Sequence, residues 1–169
     1  MTQPNALELL KQYWGYDSFR GHQEAIIDSV LSGKDTIGLL PTGGGKSICY
    51  QIPGLIFPGL TMVISPLIAL MEDQHNGLIK RNIKSFHFKG SYSARSMDEA
   101  FRNLRYGNYK FAFFAPERIA NPLFLEYIKH ANISMLAIDE AHCISQWGFD
   151  FRPSYLNVSI LRELRPEVP

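Results

Sequence analysis

Thr36-Ile-Gly-Leu-Leu-Pro-Thr-Gly-Gly-Gly-Lys-Ser47 sets a short apolar run against a glycine-rich turn that ends in Lys-Ser, and a helical pattern follows from Ile48. Gly43, Gly44 and Gly45 let the backbone wrap closely round phosphate oxygens with its N–H groups turned inward, and Thr42 lies in the same turn. The following helix adds the positive end of its dipole. In this order Lys46 reaches the β- and γ-phosphates and the Ser47 hydroxyl ligates Mg²⁺, so the implied ligands are ATP and Mg²⁺. The strict pattern places glycine at the first position of the loop, where this chain has Leu40. An incidental glycine turn beside a lysine would not need strand, glycines, Lys-Ser and helix to arrive in that sequence.

Further along, the same unit recurs: a short apolar run, a turn, then a helical pattern. The runs are Thr36–Leu40, Thr61–Ser65, Lys84–Phe88, Phe111–Ala115 and Ile133–Ile138, and the amphipathic stretches between them are Leu67–Arg81, Ala94–Tyr106 and Pro122–His130. Continuously apolar strands alternating with helices predict an α/β fold, a mostly parallel sheet with helices on both faces and ligands at the carboxyl ends of the strands. Two helices are expected before the first strand, around Ala6–Trp14 and from His22 to near Gly33, a C′ glycine. Tyr155–Leu164 reads as a last helix, and the proline-containing exit Arg165–Pro169 suggests that the chain continues into a further strand.

Ser134-Met-Leu-Ala-Ile-Asp-Glu140 is an apolar strand that finishes in two carboxylates. Beside a phosphate loop, Asp139 at such a strand tip can hold Mg²⁺ through its water shell, and Glu140 can orient and deprotonate an attacking water. His142 either senses the γ-phosphate or bonds locally. A zinc-protease reading fails for want of HExxH.

Asp139-Glu-Ala-His142 and the loop 40–47 resemble motifs II and I of superfamily 2 helicases. Together with Phe19-Arg-Gly-His-Gln23, Cys49-Tyr-Gln51, Ser65-Pro-Leu67, Ala115-Pro-Glu-Arg118 and Asp139–Gly148, they closely resemble the RecQ family of DNA helicases over nearly the whole chain. The resemblance implies a RecA-like first domain spanning 1–169 and a 3′-to-5′ DNA helicase acting on single-stranded and partially duplex DNA with a second RecA-like domain. It implies an adenine-recognising set in Tyr16, Arg20 and Gln23, a ring, a cation and an amide. It also implies DNA contacts from Ser65, Pro66 and Arg118, although Arg118 could equally be a structural ion-pair partner. The segment Ser145–Pro153 resembles the family's aromatic-rich loop, which gives Trp147, Phe149, Phe151 and Arg152 to DNA; stacking a base on an aromatic is worth about 1–3 kcal/mol. One of Phe149 and Phe151 is expected to pack against the neighbouring half of the motor. Two positions depart from the pattern: Phe149 stands where many members have histidine, and Glu72 lies where a basic residue would favour phosphate.

The bulk properties agree with such a domain and exclude others. At 169 residues, 46% hydrophobic and 20% charged, the chain suits one soluble globular domain, and a net charge of +1 leaves nucleic-acid binding to local arrangements rather than global attraction. Cys49 and Cys143 form no disulfide framework or zinc spacing. No secretory or membrane-spanning stretch is expected, which makes a cytoplasmic (bacterial cytosol or nucleoid) or nuclear setting the default. Two rivals stay open: a small-molecule P-loop enzyme or transporter ATPase, though no Ser-Gly-Gly-Gln signature occurs, and a non-hydrolysing DNA-binding module. On its own the chain is expected to bind nucleotide weakly and to turn over hardly at all. An arginine finger, supplied by a second half in such motors, is worth roughly 10³–10⁵ in rate.

Overall fold

The computed structural model describes residues 5–41, 43–145 and 151–169. The chain divides into two compact units, Met1–Gly59 and Leu60–Val168. The first unit is helical. Helix α1 (Ala6–Trp14) opens with a capping box, in which Asn5 Oδ1 accepts from Leu7 N–H and Glu8 accepts from Asn5 N–H, and it closes on Gly15 at φ 73°. Helix α2 (Gln23–Leu31) ends at Gly33, whose φ of 78° and N–H bond to Val30 O mark the expected glycine exit. Helix α3 (Lys46–Ile56) packs against both, and Leu9, Leu10, Ile27, Ile48 and Ile52 make the unit's core.

The predicted strand Thr36–Leu40 is not formed. Among the described residues the segment has no ladder partner, and Ile37 and Leu39 are 95% and 90% exposed. Its alternation of period two survives all the same. Gly38 turns toward Ile26, and a Cβ there would lie 3.3 Å from that side chain, while Ile37 and Leu39 point outward. An apolar run makes a segment ready for a strand, but only a neighbouring backbone makes it one.

The second unit carries a four-stranded, wholly parallel sheet, which establishes the α/β class. Strands β1 (Leu60–Ile64), β2 (Ser85–His87), β3 (Phe111–Phe114) and β4 (Ile133–Ile138) lie in the order β2-β3-β1-β4. Register puts Met62 beside Ala112 and Ile64 beside Phe114 on one face, and Val63 beside Phe113 on the other. The first face receives α5 (Ala94–Tyr106), α6 (Pro122–His130) and α7 (Val158–Leu164), whose Met97, Phe101, Phe124, Ile128 and Leu161 share one core with it. Phe124 is its hub, with ring centroids of Phe114, Phe88 and Phe101 at 5.0, 5.5 and 5.6 Å. Helix α4 (Ile68–Lys80) covers β2 and β3 with Met71 and Leu78 buried, and His75 Nδ1 meets Ser85 Oγ at 2.7 Å.

The final helix starts later than expected. Residues Pro153–Asn157 form a 3-10 turn, with the Tyr155 N–H bonded to Arg152 O, and the α-helix begins at Val158. Pro153 stands at the first position of the turn, where a missing N–H costs nothing.

Buried in β2, His87 has no hydrogen-bond partner on either ring nitrogen among the described residues. Burial, with Lys89, His75 and Arg118 adding to it and Glu72 opposing, pushes its pKa from 6.5 down to about 4. The unfolded chain therefore takes up the proton first. The stability this contributes is complete above pH 6.5, declines as pH falls through the window, and is gone below about 4. Urea midpoints at pH 7, 5.5 and 4.5 should show the decline, and His87→Phe, which removes no hydrogen bond, should flatten it.

Candidate nucleotide and nucleic-acid site

The residues singled out by sequence fall into both units. In the first, the glycine loop takes its shape from left-handed backbone at Gly43 (φ 77°) and Gly45 (φ 71°), and Gly45 caps α3, whose first residues are Lys46 and Ser47. Gln23 holds this loop from beneath. It is 4% exposed, its Oε1 accepts from Arg20 N–H at 2.9 Å, and its Nε2 donates to Gly44 O at 3.2 Å and Gly45 O at 3.1 Å. The amide that sequence resemblance gives to adenine is here engaged at both ends within the protein. Arg20 lies 5.1 Å from the centroid of the exposed Tyr16 ring, a cation–π pair open to solvent. Thr42 lies outside the described residues.

The loop tolerates no side chain at its turn. A Cβ on Gly45 would sit 2.4 Å from Gln23 Nε2 at a φ that L-residues rarely adopt, and one on Gly44 would meet Pro41 O at 2.9 Å. Gly45→Ala should therefore expel the Gln23 amide and weaken nucleotide binding at least tenfold. Titration with a fluorescent ATP analogue measures this, with little change in thermal stability because the strain is local.

In the second unit, β4 delivers Asp139 and Glu140. Asp139 N–H continues the ladder to Ile64 O at 2.8 Å, and its Oδ1 accepts from Glu140 N–H at 3.0 Å. Glu140 is left-handed, φ 50° and ψ 43°, a conformation that costs a non-glycine residue about 1–3 kcal/mol and persists only where its surroundings hold it. Two groups do so: Cys143 N–H bonds to Glu140 O, and the Tyr155 hydroxyl donates to Asp139 O at 2.9 Å. The backbone thus turns sharply out of the sheet and lifts the Glu140 side chain off the strand line. His142 Nδ1 stands 3.2 Å from Glu140 Oε2.

The expected nucleic-acid residues are placed unevenly. Ser65 and Pro66 are buried, so neither presents its side chain at the surface, whereas the neighbouring Leu67 and Ile68 are exposed. Arg118 packs against the rings of Phe88 (5.4 Å) and Tyr92 (4.8 Å) and donates to Gly90 O. It is thereby a strut of the β2 exit loop. That loop lines a cavity of about 410 Å³ at the carboxyl ends of β2 and β3, with Lys89, Ser91 and Asn121 contributing polar groups. Glu72 bears on the same loop through a 2.6 Å ion pair with Lys89. Arg152 Nη1 donates to Pro66 O at 2.8 Å, and Phe151 is half-buried. Trp147 and Phe149 lie outside the described residues.

Sequence reasoning missed Tyr155, which it treated as the start of a helix. Its signal was weak, since its partner lies sixteen residues back on another element. Ser154, whose hydroxyl donates to Glu117 Oε1 at 2.9 Å, was missed for the same reason. Among the described residues no helix is long and apolar enough to cross a membrane.

Comparison with known proteins agrees with this arrangement. The family described as DEAD/DEAH box helicase matches residues 20–168. The ATP-dependent DNA helicase RecQ of Bacillus subtilis (strain 168) is 47% identical over 161 residues, covering 94% of this chain and 27% of that protein. The RecQ of Pasteurella multocida (strain Pm70) is 44% identical over 97% of this chain and 26% of its own length, so the chain spans about a quarter of these relatives. The crystal structure of a hypothetical ATP-dependent RNA helicase from Sulfolobus tokodaii superimposes with a TM-score of 0.69 at 20% identity, over 99% of this chain and 48% of that one, a likeness of fold. With its parallel sheet, its glycine loop and an acid pair at the tip of β4, the chain belongs to the DEAD/DEAH box helicase family.

Proposed function

We propose that residues 1–169 are the nucleotide-binding half of an ATP-dependent DNA helicase, which couples ATP hydrolysis to 3′-to-5′ movement on single-stranded DNA and to duplex unwinding. The observation that carries this reading is the Asp139–Glu140 turn. It is a strained acid pair at the carboxyl end of a parallel strand, held at the carbonyl, at the amide and at the side chain of Glu140. Such restraint has little value in a strand end that is merely solvated, and it suits a base that must hold one water in line. The RecQ names of the relatives point the same way.

The donors fit the ligands this function needs. The Gly44–Gly45 cradle leaves no room for a Cβ, as a backbone that wraps a phosphate requires. The Ser47 hydroxyl and the Asp139 carboxylate are hard oxygen donors of the kind Mg²⁺ takes alongside nucleotide phosphates. When bound, Mg²⁺ would supply charge neutralisation at the β- and γ-oxygens. Lys46 adds a cation there, Glu140 takes the proton of the attacking water, and His142 fixes the Glu140 carboxylate. Tyr16 and Arg20 offer the base a ring and a cation. Gln23 acts through the shape of the loop. For DNA, the exposed Leu67 and Ile68 and the polar groups of the cavity above β2 and β3 are the contacts available. A second RecA-like domain of the full-length protein completes the motor, and the working compartment is the one that holds the DNA.

The test is steady-state ATP hydrolysis by the full-length protein with and without single-stranded DNA, followed by unwinding of duplexes bearing a 3′ or a 5′ tail. Strong stimulation and a preference for the 3′ tail are expected. Turnover indifferent to DNA would move the function to a small-molecule P-loop enzyme.

A further inference from the structure

The carboxyl ends of the sheet carry the acid turn, and the amino ends of β2 and β3 carry the opposite charge. Between Gln74 and Pro116 stand eight of the chain's 17 Lys and Arg but only two of its 16 carboxylates, Asp98 and Glu99. That segment therefore holds a charge of +6 and the rest of the chain −5, a division hidden in the net +1. It comprises most of α4, the edge strand β2, α5 and β3.

Four of these cations gather at one end. Lys80 and Arg81 close α4, Lys84 leads into β2, and Arg105 stands in the last turn of α5. Lys84 O accepts from Lys110 N–H at 2.9 Å and Lys84 Nζ donates to Gly107 O at 3.0 Å, which draws the start of β2, the start of β3 and the end of α5 together. The helices account for part of this. A cation meets the negative end of a helix dipole, and Arg81 donates to Gly77 O as Lys84 does to Gly107 O. One cation at each end suffices for that, and Lys80 and Arg105 are in surplus; both are exposed. Asp98 does not balance Arg105, since it is paired with Arg102 at 2.7 Å, two turns earlier on α5. Next to Arg105, Tyr106 is 72% exposed, and the Arg105 guanidinium lies 5.6 Å from its ring centroid. Ring and guanidinium are thus presented to solvent together.

We propose that this end of the sheet is a second, sequence-independent nucleic-acid contact, in which Lys80, Lys84 and Arg105 meet backbone phosphates and Tyr106 stacks on a base. Cations drawn from separate elements suit an extended anion whose charge repeats. The ring selects nucleic acid over an acidic peptide, because a base has a face to stack on it and a carboxylate is repelled by the negative face of the ring. The contact lies at the other end of the strands from the Asp139–Glu140 turn, so it adds affinity and leaves hydrolysis unchanged. It goes beyond the helicase reading and needs no nucleotide.

The test uses the full-length protein carrying Lys80→Gln with Arg105→Gln, two exposed changes that leave the bonds of Arg81 and Lys84 in place, and Tyr106→Ala as a separate variant. Binding of a fluorescent single strand without ATP is followed across a salt series. In the double variant the slope of log affinity against log salt should become shallower by about 1.4, the loss of two phosphate contacts at about 0.7 each. Tyr106→Ala should weaken binding about fivefold or more with the slope kept, as the loss of one stacked base requires. ATP turnover at saturating DNA should stay within twofold in both. An unchanged slope, or a Tyr106→Ala protein that binds like the parent, overturns the proposal. So does a double variant that keeps its DNA affinity and loses binding to a polyglutamate peptide, which marks an acidic protein partner instead. A variant-free measurement covers a failure to fold: single-stranded DNA should protect Lys80 of the unmodified protein from acetylation, and equal reactivity overturns the contact. If the variants bind DNA less well while turnover of the parent is indifferent to DNA, the helicase reading fails and this contact stands.

Discussion

Lys46→Ala in the full-length protein lowers DNA-stimulated ATP turnover by about 10²–10³-fold, the usual cost of removing one preorganised donor from a developing charge. The reason lies in how the side chain is delivered. Gly45, left-handed at φ 71°, turns the chain so that Lys46 is the first residue of α3, where, on the proposed reading, the helix N-terminus and the ammonium would act on the same phosphates. Neutral water would replace the ammonium in the variant, and water brings no charge to the β- and γ-oxygens. Lys46→Arg should not restore the rate, because a planar fork cannot take the place of a compact point charge in a close cradle. Binding of single-stranded DNA without nucleotide should survive both changes. A turnover within threefold of the parent for Lys46→Ala would remove the phosphate loop from the mechanism.

Phe124→Ala should carry the largest cost in stability, about 3–5 kcal/mol, in the range of phenylalanine truncations in well-packed cores. Phe124 is fully buried and ties α6 to α5 through Phe101, to β3 through Phe114 and to the exit of β2 through Phe88. Edge-to-face pairs contribute beyond the area they bury, and two such neighbours, Phe88 and Phe101, lose their partner together with the tilted Phe114. The cavity cannot close by local adjustment, since Phe101 is also stacked on Tyr127 at 4.5 Å and 8° and Phe114 is fixed in a central strand. Equilibrium urea denaturation of the domain measures it. A loss under 1.5 kcal/mol would mean that the cluster repacks.

What could be read in the sequence was what the chain decides locally. Helices α1, α5 and α6 fall on their predicted spans because Asn5 with Glu8, Ser93, and Asn121 before Pro122 signal each start within one turn. Strands β1 and β3 were visible as apolar runs because both their faces are buried, and β2 and β4 because one face is buried and the other partly so. The run at 36–40 carries the same composition without a ladder, and nothing within five residues distinguishes the two cases. The site divides in the same way. The glycines, Lys46 and the acid pair announce themselves by type and order. The commitment of Gln23 to Gly44 and Gly45, the packing of Arg118 between Phe88 and Tyr92, and the bond from Tyr155 to Asp139 join residues far apart in sequence. They are properties of the folded chain, and no pattern of residue types encodes them separately.

The pinched base of the 144–151 loop bears on how such a domain could be engineered. Arg152 N–H and Cys143 O meet at 3.0 Å, and Arg152, Ser154 and Tyr155 anchor the returning segment on Pro66, Glu117 and Asp139. Residues grafted between these anchors would leave the anchors in place, and each doubling of loop length adds only about 0.6 kcal/mol of closure entropy. The position is therefore a natural port: a reporter or a longer reading segment could be spliced there while the sheet and its acid turn keep their shape.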